Sequence, residues 1–189
     1  GEVTRARFGY DPASVAESVL GFESPKAVYE SGPTGFHLCR ALRALGVGCA
    51  VGAVSKMHRP AADRGRKNDR RDAEWLARLL ACRNVVEVWV PDDLTEAARD
   101  LSRALEDARD DLQRARQRMS KFLLRHGLVF DETTPAGRRR SNWTEAYWRW
   151  ARSIEFGEAD DAAAYEHYMD AVERCAEAKR ELERMILPI

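Results

Sequence analysis

Apolar positions recur along the chain with two different periods, and the change between them falls near residue 94. Before it, short apolar runs are punctuated by glycine and proline. Residues 3–8 alternate and are expected to form a strand ending at Gly9-Tyr10-Asp11-Pro12. Asp11 is then placed to cap a short helix, with Pro12 at its first position and Val15 and Val19 on its apolar face. Lys26–Glu30 reads as a strand that stops at Ser31-Gly-Pro-Thr-Gly35. Thr34 is expected to cap a helix carrying Phe36, Leu38, Leu42 and Leu45, which Gly46 ends. Residues 49–54 are apolar throughout, as in a parallel strand covered on both faces. A helix over 73–81, with Leu76, Leu79 and Leu80, and a strand over 85–90 before Pro91 complete this half. Strand, helix and strand in that order form a crossover unit, so the first half is predicted to be α/β.

From residue 94 the spacing becomes four and three. Leu94, Ala98, Leu101, Leu105, Ala108, Leu112, Ala115, Met119 and Phe122 form a heptad seam. Residues 143–154 read as a further helix, and 159–187 as another, with Tyr165, Tyr168, Val172, Cys175, Leu182 and Met185 at near-heptad spacing. The expected organisation is an α/β domain over 1–92 and a helical coiled-coil region over 93–189, with helices at 93–127, 143–155 and 159–187. The two long helices are expected to close as an antiparallel hairpin or to pair between chains. Residues 131–141, with Pro135, Gly137 and Arg138-Arg139-Arg140, read as a flexible basic connection. The aromatic run Trp143, Tyr147, Trp148 and Trp150 suits core or dimer packing better than stacking on unpaired bases.

Composition narrows the functions. The chain has 189 residues, with 31 Lys+Arg against 31 Asp+Glu, so a nucleic-acid surface must come from segregated charge and not from a net excess. Segregation is present. Residues 55–71 contain Lys56, Arg59, Arg64, Arg66, Lys67, Arg70 and Arg71 against only Asp63 and Asp69. The longest apolar runs are far short of a membrane span, and no basic-then-apolar leader is visible, so no membrane association and a cytoplasmic location are expected. Cys39, Cys49, Cys82 and Cys175 lack Cys-x-x-Cys spacing and read as reduced, mostly buried thiols.

Candidate chemistry sits at the ends of these elements. Glu30 closes a strand at the carboxyl edge, where open α/β sheets place their ligands. Asp69 and Asp72 lie three apart at a helix start, so both side chains can share one face. Three carboxylates brought together repel one another unless a cation lies between them, and oxygen donors without a His or Cys cluster point to Mg2+ or Mn2+. The same residues also fit plain helix-start chemistry: Asn68 or Asp69 as cap, and Asp72 favoured by the helix dipole.

Val28-Tyr-Glu-Ser-Gly-Pro-Thr-Gly35, Lys67-Asn-Asp-Arg-Arg-Asp-Ala-Glu74, Val88-Trp-Val-Pro91, Ser120-Lys-Phe-Leu-Leu-Arg-His-Gly127 and Trp143-Thr144 occur in order over about residues 1–155. Together they resemble the N-terminal domain of the DEDD transposases of the IS110 group of insertion sequences, including its IS1111 branch. The resemblance implies a RuvC-like, ribonuclease-H-type fold followed by a coiled coil. It implies four acids holding divalent metal, of which Glu30, Asp69 and Asp72 match three. It also implies DNA recombination directed by a structured guide (bridge) RNA, and a further domain bearing a nucleophilic serine.

In the basic residues named above and in Arg138, Arg139 and Arg140 it implies contacts to DNA and RNA, and in the heptad seam a homodimer or higher homo-oligomer. Asn68 stands where threonine is usual, and Tyr147 where histidine is. The expectation is that the family's first strands, with the first aspartate, precede Gly1 and that the serine lies beyond Ile189, leaving this chain a transposase fragment inactive alone. Two other readings accompany it: a Holliday-junction-resolvase-like nuclease, and a non-catalytic coiled-coil nucleic-acid scaffold.

Overall fold

The computed structural model describes residues 4–9, 11–58 and 69–186, Asp69 in its backbone only. The chain divides into two compact units, 1–93 and 94–189. The first is mixed α/β. Its order is α1 (Pro12–Leu20), β1 (Lys26–Glu30), α2 (His37–Ala44), β2 (Gly48–Gly52), a 3-10 turn (Val54–Lys56) and α3 (Asp69–Ala81). Asp11 caps α1 by accepting from the amides of Ala13 and Ser14, with Pro12 following, as the sequence predicts. β1 and β2 form a parallel two-stranded sheet in the register Lys26↔Gly48 to Glu30↔Gly52, which requires the α2 crossover. Ala16, Cys39, Leu42, Val47, Cys49 and Val51 make the core. Burial pushes the Cys49 thiol up to about 12, so it stays protonated.

Three expectations for this unit are corrected. Residues 4–9 are not a strand: they are exposed, Phe8 is their one large apolar group, and it has no face to bury against. Thr34 does not cap α2. The amide of Gly35 donates to the carbonyl of Gly32 at 3.2 Å, Gly35 adopts φ +63, and the helix begins only after Phe36, without a side-chain cap. Residues 85–90 lie beside β2 through two hydrogen bonds, Ala53 N to Val86 O at 2.8 Å and Val88 N to Val51 O at 2.7 Å, with a single antiparallel bridge. Past Glu87 in one direction β2 gives way to the 3-10 turn, and in the other the segment runs into Pro91, which has no amide to donate.

The second unit is helical: α4 (Asp93–Arg125), α5 (Glu145–Arg152) and α6 (Ala159–Ile186). Leu112, Ala115, Met119, Phe122 and Leu123 of α4 share one core with Phe130, Ala146, Tyr147 and Ala151, and with Tyr165 and Val172 of α6. Arg109 faces Glu183 at 3.9 Å and His126 faces Asp161 at 3.8 Å, so α4 and α6 run antiparallel within one chain. Trp143, Trp148 and Trp150 pack against this core, and the Trp143 ring lies 4.7 Å from that of Tyr147. Trp143 itself precedes α5, at φ +68, and Thr144 caps that helix.

The expected flexible connection is a hydrogen-bonded turn instead. Thr133 bridges Arg139, Thr134 N donates to Arg138 O at 2.8 Å, and Gly137 N donates to Thr134 O at 2.8 Å. Among the described residues no helix is long and apolar enough to cross a membrane.

Candidate functional site

Glu30 is the last residue of β1 and is exposed, its side chain making no hydrogen bond or ion pair among the described residues. The strand end beneath it is tightly held. The Ser31 amide donates to Gly52 O at 3.0 Å, and the Tyr29 hydroxyl donates to Gly35 O at 2.9 Å, tying the turn after Glu30 back to its own strand. Burial raises the Tyr29 phenol above its ordinary range, so it remains a donor.

Gly52 pairs with Glu30 across the sheet and sets how closely α3 approaches. A Cβ there would lie 3.2 Å from Met57 Cε, 3.5 Å from Leu76 Cδ2 and 3.6 Å from Tyr29 O. Only glycine leaves Met57 and Leu76 undisturbed at the strand ends. Leu76 is buried and α3 packs on β1. Asp72 lies one turn before Leu76, so the helical period puts it on the same face and nearer the helix start. It is half-buried and engaged with neighbouring groups. Asp69 opens the same helix; its side chain lies outside the described residues.

Among the described residues no three His, Cys, Asp or Glu side chains stand close enough to hold a metal. The donors that Glu30 and Asp72 offer are carboxylate oxygens, the chemistry that suits a hard divalent cation.

A contact that the sequence reading missed fixes α3 further. Arg5 Nη2 donates to Glu74 Oε2 at 3.0 Å and Arg78 Nη2 donates to Glu74 Oε1 at 2.6 Å. The Arg5 hydrogen bond first, and the Arg78 one next, hold the Glu74 carboxyl below its usual range. The four-residue spacing of Glu74 and Arg78 is a legible helix signal. Arg5 gives no such signal, because its partner lies 69 residues away.

The basic residues fall into two groups. Lys56 ends the 3-10 turn, and Arg70 and Arg71 lie in the first turn of α3, all exposed. Arg59, Arg64, Arg66 and Lys67 lie outside the described residues. In the second unit, Arg139 Nη2 donates to Phe130 O at 2.8 Å and Arg140 Nε lies 3.2 Å from Glu132 Oε1, so two of the three arginines hold their own turn together. Arg138 is exposed. Arg116 lies 5.0 Å from the Trp143 ring centre, and burial lowers its guanidinium below the ordinary value.

Comparison with known proteins adds the following. The family model matching residues 22–127 is described as transposase. A protein of Sinorhizobium fredii named transposase y4qE is 38% identical over 172 residues, which is 91% of this chain and 42% of that protein. The transposase for insertion sequence element IS1533 of Leptospira borgpetersenii is 38% identical over 129 residues, 68% of this chain and 35% of that protein. The chain thus spans less than half the length of these relatives. No solved structure matches it.

Proposed function

The chain belongs to the IS110 family of DEDD transposases, and on that footing we propose that its first unit is the RuvC-like, metal-dependent part of an insertion-sequence transposase. Glu30, Asp69 and Asp72 hold Mg2+ or Mn2+. The bound cation would supply charge stabilisation at an attacked phosphodiester. Lys56, Arg59, Arg64, Arg66, Lys67, Arg70 and Arg71 hold the phosphates of element-end and target DNA and of a structured guide RNA, and Arg138 of the second unit is a further candidate phosphate contact in its own right.

The observation supporting this reading is the close approach of Leu76 to Gly52, the strand partner of Glu30, with Asp72 one helical turn before Leu76. Charge supports it as well. Arg70 and Arg71 stand exposed beside Asp72 in the first turn of α3, cations of the kind that hold a phosphate backbone. Self-association falls to the first turns of α4, where Leu94 is 82% exposed.

Mn2+ titration of the chain followed by electron paramagnetic resonance tests the assignment. Glu30→Gln and Asp72→Asn should each weaken Mn2+ binding by at least about tenfold. Parent-like binding in both variants would overturn it.

A further inference from the structure

A groove of about 600 Å³ runs between the end of α5 and the first turns of α6, and nothing above gives it a role. Its floor is apolar, with Ile154, Phe156 and Met169, and its rim is acidic, with Glu155, Glu166 and Asp170. A fourth carboxylate, Glu173, is matched by the single lining cation: Arg152 Nη2 donates to Glu173 Oε1 at 2.9 Å. Four carboxylates against one guanidinium leave three uncompensated. Of these, Asp170 reaches Arg174 only at 4.0 Å, and Glu155 and Glu166 have no ion pair among the described residues.

The groove is also preformed. The Tyr165 hydroxyl donates to Ala151 O at 2.9 Å, and the Phe156 ring rests 5.0 Å from that of Tyr165 and 5.4 Å from that of Phe122. Its walls therefore need no ordering when something binds.

Charge and shape together select the occupant. Carboxylates around an apolar floor repel a polyanion, so nucleic acid is excluded. Lysine and arginine fit both halves, laying their aliphatic stems on the floor and their charged heads against the rim. We propose that this groove docks a basic, amphipathic segment of a partner protein. An apolar side chain rests on Ile154 and Met169, and flanking cations meet Glu155, Glu166 and Asp170. The inference does not depend on the metal assignment.

The test is calorimetry of the full 189-residue chain with a short synthetic peptide carrying arginine and leucine at helical spacing. The peptide should bind, and binding should weaken with salt. Glu166→Arg combined with Asp170→Arg, both exposed positions, should cost at least about tenfold in affinity with the circular dichroism spectrum unchanged. Replacing the peptide leucines by serine should cost a similar factor. No peptide binding, parent-like binding by the charge-reversed chain, equal binding of the serine peptide, or displacement by single-stranded DNA would each overturn the proposal. Should the double variant unfold, Glu166→Gln alone serves, with a smaller loss expected and an unchanged affinity counting against the groove.

Discussion

Tyr165 is 7% exposed, and its hydroxyl is committed to the carbonyl of Ala151. Burial pushes its phenol up to about 12, and that of Tyr147 up to about 12, against the ordinary 10. A folded-state pKa raised above the unfolded one means that the fold keeps the proton. The stability this confers is fully present below pH 10 and is lost as pH rises from 10 through 12. Denaturant titrations of the parent chain should therefore show falling stability across that window. Tyr165→Phe should cost about 1 kcal/mol at neutral pH, through the lost hydrogen bond, and should flatten the alkaline fall. An alkaline fall as steep as the parent's would refute the attribution. At this scale the sequence is legible where the signal is local. Asp11 as a cap and the end of α2 at Gly46 follow from neighbours a few residues apart. Arg5 with Glu74 and the close approach at Gly52 depend on elements far apart in sequence, and no spacing rule contains them.

In α4, one seam meets two environments. Leu94 and Leu112 both lie on the heptad seam, yet Leu94 is 82% exposed and Leu112 is 6% exposed. The period specifies the apolar face of a helix, but not how far along it a partner extends. The antiparallel pairing of Arg109 with Glu183 and of His126 with Asp161 runs the end of α6 out near residue 106, so the first turns of α4 pass beyond it. Leu112→Asp should destabilise the helical unit by at least about 3 kcal/mol, because it buries a charge and opens a cavity. Leu94→Asp should change stability by less than about 0.5 kcal/mol. Thermal unfolding followed at 222 nm compares the two, and equal effects would refute the register. The segment at 85–90 illustrates the opposite limit. Its apolar residues suit a strand, but it makes a single bridge to β2. Strand character belongs to the pair, and one sequence segment holds half of it.

The whole molecule is neutral, and its charge is segregated, with seven cations against two acids in residues 55–71 and an acidic stripe along α6. If about five of those cations contact phosphates, log affinity for duplex DNA should fall with log salt at a slope of roughly −4 to −5. Changing Arg64, Arg66 and Lys67 together to Ala should flatten that slope by about two to three and weaken all sequences alike. A parent-like slope would remove the loop from the interface. The family is legible at this scale because five sequence blocks recur in order, and the family model confirms it over residues 22–127. The candidate site is legible only as far as its residue types. That Glu30 and Asp72 belong to elements packed on each other follows from the fold, through Gly52 and Leu76. The central claim is that Glu30, Asp69 and Asp72 hold one cation. Its most direct test is paramagnetic broadening by Mn2+ of backbone amide signals in the isotope-labelled chain. The account predicts broadening centred on Glu30, Ser31, Gly52 and the first turn of α3. Broadening centred instead on Glu166, Asp170 and Glu173, with the amides around Glu30 untouched, would contradict it.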